Sequence, residues 1–200
     1  MSIHSMGMGC SSRGIAAGVL GCLMLAGCGE EAVSVAAAPL TESRNVQVSA
    51  TFTAEVGTAI TYDPVLVAVG GRGAVSSQAA AGRTTVLLAV RGVEPNRQYG
   101  AHAHAEPCGP TGDAAGPHFQ NVVDPVQPSV DPQYANPDNE IWLDLTTDAS
   151  GSGSAEASVN WEFPVDRRAR SVILHAMPTA TDPGRAGSAG ARAACISVDF

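Results

Sequence analysis

Short apolar runs separated by turn residues characterise the chain from residue 46 onward. In the run 46–52, Val46, Val48, Ala50 and Phe52 share one side at a period of two, which predicts a half-buried strand. Further strand-like runs occur at 59–62, 66–69, 74–80, 84–90, 98–105, 140–146, 154–163, 170–175 and 192–198. Few segments sustain a helical period, and Gly-Gly, Asp-Pro and Pro-Gly pairs mark the gaps. The pattern predicts an all-β domain, a sandwich or flattened barrel.

One long segment interrupts the succession of strands. Seven of the 13 prolines lie within 106–139, so no regular element is expected there. Loops of this length inside a compact domain are usually functional or disordered. Cys108 and His118 both fall in this segment, which makes it a candidate part of a functional site.

The N-terminus has the pattern of an export signal. Its apolar stretch, 15–26, is too short for a permanent transmembrane helix. The sequence Leu25-Ala26-Gly27-Cys28 resembles the lipobox of bacterial lipoproteins, in which the cysteine carries the lipid. The alternative is an ordinary secretory signal cut within 36–38. We therefore expect a signal peptide at 1–27, a lipid-anchored tether at 28–55 whose second half contributes a strand, and a β-domain at 56–200 outside the cytoplasm, held at the cell membrane or envelope.

Composition and charge limit the classes of partner. With 44% hydrophobic and 15% charged residues, the chain suits one compact domain. All 11 basic residues are arginines, and 19 acidic residues give a net charge of -8. Removal of the signal discards Arg13 and leaves ten arginines against 19 acidic residues, a net charge of -9. Because phosphate backbones are bound by basic clusters, nucleic acid is not expected as a partner.

The cysteines divide into three groups once the signal is removed. Cys10 and Cys22 leave with the signal, Cys28 becomes the anchor, and Cys108 and Cys195 remain. An even pair in an oxidising compartment predicts one disulfide. The alternative, two unrelated buried thiols, is disfavoured by export.

Four histidines remain in the mature chain. His102 and His104 are two residues apart in a strand-like run and therefore face the same side. Such a pair can bind a metal or simply line a polar surface, but His118 and His175 supply two more imidazoles. Four imidazoles without a free thiolate favour copper(II) over zinc, calcium or magnesium.

Five motifs containing these residues resemble the copper/zinc superoxide dismutase family, in the family's order, from about Ala59 to Phe200. They are Tyr-Gly-Ala-His-Ala-His at 99–104, Cys-Gly at 108–109, Ala-Gly-Pro-His-Phe at 115–119, Ser-Val-Ile-Leu-His at 171–175 and Gly-Ala-Arg-Ala-Ala-Cys at 190–195. The resemblance implies a Greek-key β-barrel or sandwich with long loops, and a disulfide between Cys108 and Cys195. It also implies an anion-guiding Arg192 beside a copper ion held by His102, His104, His118 and His175.

The sequence departs from the family at the zinc site. In the family, the histidine matching His118 bridges copper to zinc, and the following loop supplies two more histidines and an aspartate. No histidine lies between His118 and His175 here. Oxygen donors are present (Asp124, Asp131, Asp138 and Glu140), but a structural zinc site normally closes with four ligands, commonly histidine and cysteine. We therefore predict a copper-only site without zinc, similar to the zinc-less members of the family.

The resemblance implies disproportionation of superoxide, with superoxide as the substrate, Arg192 drawing the anion in and His118 delivering protons. Imidazole ligands usually donate their second N–H to a carboxylate or carbonyl, for which Asp182 and Glu106 are candidates. The alternative function is a non-enzymatic surface lipoprotein that binds or buffers copper. A hydrolytic zinc enzyme would need a general base that nothing in the sequence marks out. The oligomeric state does not follow from the sequence.

Overall fold

The computed structural model describes residues 43–200. Ten strands follow one another in chain order: β1 Arg44–Thr51, β2 Ala59–Thr61, β3 Val67–Ala80, β4 Arg83–Val93, β5 Gln98–Tyr99, β6 Ala101–His104, β7 Leu145–Thr146, β8 Gly153–Val159, β9 Ser171–His175 and β10 Arg192–Ser197. The helical content of this part of the chain is a single 3₁₀ turn, Gly112–Ala115. No helix among the described residues is long and apolar enough to cross a membrane. The expected signal peptide, the Cys28 lipidation site and most of the tether lie outside the described residues.

Two four-stranded antiparallel sheets form a sandwich. One has the order β1-β3-β4-β8 and the other β2-β10-β9-β6, while β5 and β7 pair as a small separate ribbon. In the second sheet, β10 lies between β2 and β9, so strands distant in sequence are neighbours, as in Greek-key connections. The sheets do not close on each other. The all-β prediction is confirmed in its sandwich form, and the barrel form is wrong.

The strand expected within the tether segment is present as β1. It pairs in register with β3, from Arg44 opposite Ala79 to Thr51 opposite Arg72. Val46, Val48 and Ala50 are half-buried and alternate with exposed residues, while Phe52 beyond them is fully buried. The period-two pattern therefore marks the face that packs on the core.

The two sheets differ in what covers their outer faces. The first sheet alternates buried and exposed positions, because its outer face meets solvent. By contrast, every residue of β6 and β9 is buried. Ala101 and Ala103 join the core between the sheets. His102 and His104 alternate with them and therefore point to the opposite face of β6, where the long loops cover them.

A disulfide fastens the long loop to this second sheet. Cys108, in the loop after β6, is bonded to Cys195 in β10, with their Cα atoms 5.7 Å apart. The predicted disulfide is confirmed. Cys195 and Ile173 pack with Ile60 and Ala115 in a small apolar cluster beneath the loop. The disulfide and this cluster hold the start of the 106–139 segment over the strands that carry the histidines.

Candidate metal centre

Two strands and one loop bring the four histidines together. His102 and His104 lie on β6, which pairs with β9, and His175 is the last residue of β9. His118 reaches the group because its backbone forms a β-bridge with His104. One ring nitrogen from each histidine lies within 4.8 Å of the others. All four candidate metal-binding residues are therefore found in one cluster.

The cluster is closed on one side and open on the other. His102 and His104 are fully buried and His175 is 4% exposed, whereas the His118 side chain is 18% exposed. Burial lowers the pKa of His175 to about 3 and, together with the nearby His118, holds the pKa of His102 and His104 well below the usual value. Their imidazoles are therefore neutral at pH 7, which is the form that binds metals.

Backbone carbonyls orient two of the rings. His104 Nδ1–H donates to the carbonyl oxygen of Gly116 at 3.0 Å, and His175 Nδ1–H donates to that of Gly190 at 3.3 Å. Each ring then directs the lone pair of Nε2 into the cluster, where the two Nε2 atoms are 3.4 Å apart. Two lone pairs at this distance repel each other unless a cation lies between them.

The His102 ring has the opposite orientation, with Nε2 rather than Nδ1 pointing away from the cluster. Its Nε2 lies 2.7 Å from the hydroxyl of Thr179, so Nδ1 is the atom that faces the other rings. This Nδ1 is buried and has no hydrogen-bond partner among the described residues. A buried polar atom without a partner costs about 1–3 kcal/mol. A metal ion bound to the inward nitrogens would remove that cost, so these residues fit a metal centre.

Glu140 is the hydrogen-bond partner of the outer ring nitrogen of His118, Nδ1. Its Oε2 lies 2.7 Å from His118 Nδ1 and also accepts a hydrogen bond from the Trp142 indole N–H at 2.7 Å. Its Oε1 accepts one from Gln120 at 2.8 Å. Glu140 is 1% exposed. Two residues further along, Trp142 forms a β-bridge with His102 of β6. A buried carboxylate with three donors fixes the His118 ring, with Nε2 left for a metal.

Neither of the two candidate carboxylates, Asp182 and Glu106, makes a hydrogen bond to a histidine among the described residues. Asp182 pairs instead with Arg185 on the surface, with Arg185 Nε 3.1 Å from Asp182 Oδ2. The structure gives Glu106 a backbone role, because its carbonyl oxygen accepts from Ser171. Within residues 43–200 the supporting groups are Glu140, Thr179 and the carbonyls of Gly116 and Gly190. The sequence signal that could have identified Glu140 is the strand-like alternation Glu140-Ile141-Trp142, which places Glu140 and Trp142 on the same side.

Arg192 lies at the mouth of the cluster. It is the first residue of β10, and its guanidinium donates to the carbonyls of Gly112 at 2.7 Å and Gly116 at 2.8 Å. It borders a cleft of about 390 Å³ that is also lined by His118, His175 and Glu140. Gly112 lies so close that a Cβ there would be 2.7 Å from the Arg192 Cβ. The guanidinium is therefore held in place at the cleft that His118 also lines.

Comparison with known proteins identifies the fold. No protein-family model matches the sequence. No curated protein matches it either. Among solved structures, the Cu/Zn superoxide dismutase from Brucella abortus superposes with a TM-score of 0.53 at 20% sequence identity, covering 79% of this chain and all of that one. The chain therefore has the β-sandwich fold of copper/zinc superoxide dismutase, with a buried cluster of four histidines suited to a metal.

Proposed function

We propose that the protein is a copper-dependent superoxide dismutase. The observation that carries this proposal is the convergence of four imidazoles beside a cleft bordered by a fixed arginine, with a buried Nδ1 on His102 that has no partner among the described residues. Similarity to a superoxide dismutase fold supports an oxidoreductase role. In the overall reaction, two superoxide anions and two protons give one molecule of oxygen and one of hydrogen peroxide.

The donor set favours copper as the metal. His102 would bind through Nδ1, and His104, His118 and His175 through Nε2, which is an all-nitrogen set. A copper ion bound there supplies one-electron chemistry by alternating between its two oxidation states. The protein contributes position, electrostatics and protons.

The guanidinium of Arg192 provides local attraction for an anionic substrate. The mature chain would carry a net charge of -9, which opposes the approach of superoxide at long range. Both Arg192 amino groups donate to backbone carbonyls, so the cation stays at the cleft. A small anion can accept from it within the cleft that His118 also lines.

Glu140 is the basis for proposing a centre with copper and no zinc. A bridging role for His118 would require a lone pair on Nδ1, but this atom lies 2.7 Å from the buried carboxylate of Glu140. As the acceptor, the Glu140 carboxylate keeps the hydrogen on His118 Nδ1. Its negative charge then takes the place that a second cation would occupy. We place proton delivery at His118, because its ring is the most exposed of the four.

We also propose that the protein is exported and anchored through Cys28. The lipobox-like sequence before Cys28 and the short apolar stretch support this location. The Cys108–Cys195 disulfide agrees with an oxidising compartment.

The test uses the full chain, purified and loaded with copper. Metal content and superoxide consumption are measured on the same sample, with metal-free protein as the control. Copper without zinc, together with copper-dependent dismutation, supports the proposal. Copper binding with no dismutation above the metal-free control would favour a copper-buffering role, and stoichiometric zinc would contradict the copper-only centre.

A further inference from the structure

A threonine hydroxyl stands between His102 and Asp144. His102 Nε2 lies 2.7 Å from Thr179 Oγ1, and that hydroxyl lies 2.6 Å from Asp144 Oδ1. The direct distance from His102 Nε2 to Asp144 Oδ1 is 3.8 Å, too long for a hydrogen bond. The imidazole therefore reaches the carboxylate only through the hydroxyl.

The chemistry of these groups sets the direction of the hydrogen bonds. An ionised carboxylate accepts only, and a threonine hydroxyl has a single hydrogen. Asp144 also accepts from the backbone N–H of Thr179 at 2.8 Å and of Ala101 at 3.2 Å. With its hydrogen directed to Asp144, Thr179 Oγ1 can only accept from His102. His102 must then carry its hydrogen on Nε2, which leaves a lone pair on Nδ1.

The fold reserves space for this hydroxyl. A Cβ at Gly100, two residues before His102, would lie 2.9 Å from Thr179 Oγ1 and 2.6 Å from the Ala189 Cβ. The backbone N–H of Gly100 donates to the carbonyl of Met177 at 2.7 Å, which draws the segment after His175 against β6. Glycine at position 100 thus allows the hydroxyl to reach the ring of His102.

We infer that Thr179 is a positioning residue that fixes the tautomer of His102 and so presents Nδ1 to the metal. The inference deepens the proposed function, on which its metal-binding part rests. It accounts for the buried Nδ1 of His102, which has no hydrogen-bond partner within 43–200. It also makes the loop after His175 part of the centre, because Thr179 links that loop to Asp144.

The first test is nitrogen-15 NMR of the histidine rings in the metal-free full chain near neutral pH. The wild type is expected to carry the His102 hydrogen on Nε2, and Thr179→Ser is expected to keep it there. Thr179→Val removes the hydroxyl at nearly constant volume and should give a mixture of tautomers. Thr181→Val is the control, because Thr181 is exposed and its side chain makes no hydrogen bond within 43–200.

Two results would overturn the inference: a wild-type hydrogen on Nδ1, or an unchanged tautomer in Thr179→Val. If Thr179→Val fails to fold, Asp144→Ala decides, because it removes the acceptor of the Thr179 hydroxyl and should also mix the tautomers. An unchanged tautomer in that variant contradicts the relay.

The second test is copper(II) affinity, measured by competition with a chelator, together with the copper EPR spectrum. Loss of a supporting partner typically weakens metal binding about 10–100-fold, and this is expected for Thr179→Val with an altered spectrum. Thr179→Ser and Thr181→Val should remain close to the wild type. Equal affinity in all variants contradicts the inference. If the protein binds copper in this pattern but does not dismute superoxide, the proposed function fails and the positioning role stands.

Discussion

Arg192 and His104 donate to the same carbonyl oxygen, that of Gly116. The Arg192 Nη2 to oxygen distance is 2.8 Å, and the His104 Nδ1 to oxygen distance is 3.0 Å. One backbone group thus sets the position of the cation at the cleft and the orientation of a buried imidazole. Gly116 has a φ of 69°, a conformation that glycine adopts readily, and it ends the short 3₁₀ turn that follows Cys108. The disulfide-bonded loop therefore links Arg192 at the cleft to the histidine cluster.

Arg192→Ala should lower the rate of superoxide dismutation while copper affinity changes little. Local electrostatic attraction raises on-rates by about 10–10³-fold, so a loss of roughly tenfold or more is expected, with a weaker dependence on ionic strength. Stopped-flow superoxide decay at several salt concentrations measures both. Arg185→Ala is the matched control, because that arginine is exposed and paired with Asp182. Equal rates in the two variants would remove the anion-guiding role.

Glu140→Gln should destabilise the protein. The buried carboxylate accepts from three N–H groups, and a glutamine would turn its own NH₂ towards at least one of those donors. Leaving a buried donor unpaired costs about 1–3 kcal/mol in the free energy of unfolding. Urea denaturation of the metal-free protein measures the change, and the exposed Glu156→Gln serves as the control. A loss no larger than that of the control would show that the network contributes little.

Loss of the disulfide should lower the free energy of unfolding by more than Glu140→Gln does. The bond closes a loop with a sequence separation of 87, for which chain entropy gives about 4.6 kcal/mol. Cys195→Ala and reduction of the wild type should both lower the free energy of unfolding by this order. A smaller loss on reduction than in the variant would assign part of the effect to the cavity left by Cys195, which is fully buried.

The metal-free protein should lose stability as the pH falls from 6.5 to 5. Burial lowers the pKa of His175 to about 3 and that of His102 and His104 well below the usual value. In the unfolded chain these imidazoles have a pKa of about 6.5, so the unfolded state binds more protons and gains population as the pH falls. The slope approaches about 1.4 kcal/mol per pH unit for each titrating histidine.

Urea denaturation at a series of pH values checks this dependence. His175→Gln should reduce the slope by one histidine's share. A free energy of unfolding that stays constant from pH 6.5 to 5 would show that the histidines are not held neutral in the folded state.

Local patterns predicted several features correctly. The alternation from Val46 to Phe52 marks the inward face of β1, since a half-buried strand repeats every two residues. The same period of two predicts that His102 and His104 share one face of a strand, as they do in β6. The run 140–146 is different: only Leu145 and Thr146 belong to a strand, and Glu140 and Trp142 make isolated bridges. There the backbone meets β6 at a few points between loops, which periodicity does not register.

The supporting groups could not be predicted from the sequence in the same way. Asp182 and Glu106 are near the cluster in sequence, yet Glu140 and Thr179 are the side chains that contact the histidines. A hydrogen bond depends on tenths of an ångström between groups on separate loops, and sequence separation carries no such information.

By itself, the sequence determined the β-pattern, the chemical nature of the four imidazoles, the acidic balance and the pairing of the two remaining cysteines. These follow from local periodicity, residue chemistry and counting. Only the tertiary structure decided that the sheets form a sandwich, that Glu140 takes the outer nitrogen of His118 and that Thr179 holds His102. Those outcomes depend on how loops distant in the chain pack over one sheet, where burial and exact distances select the partner of each ring nitrogen.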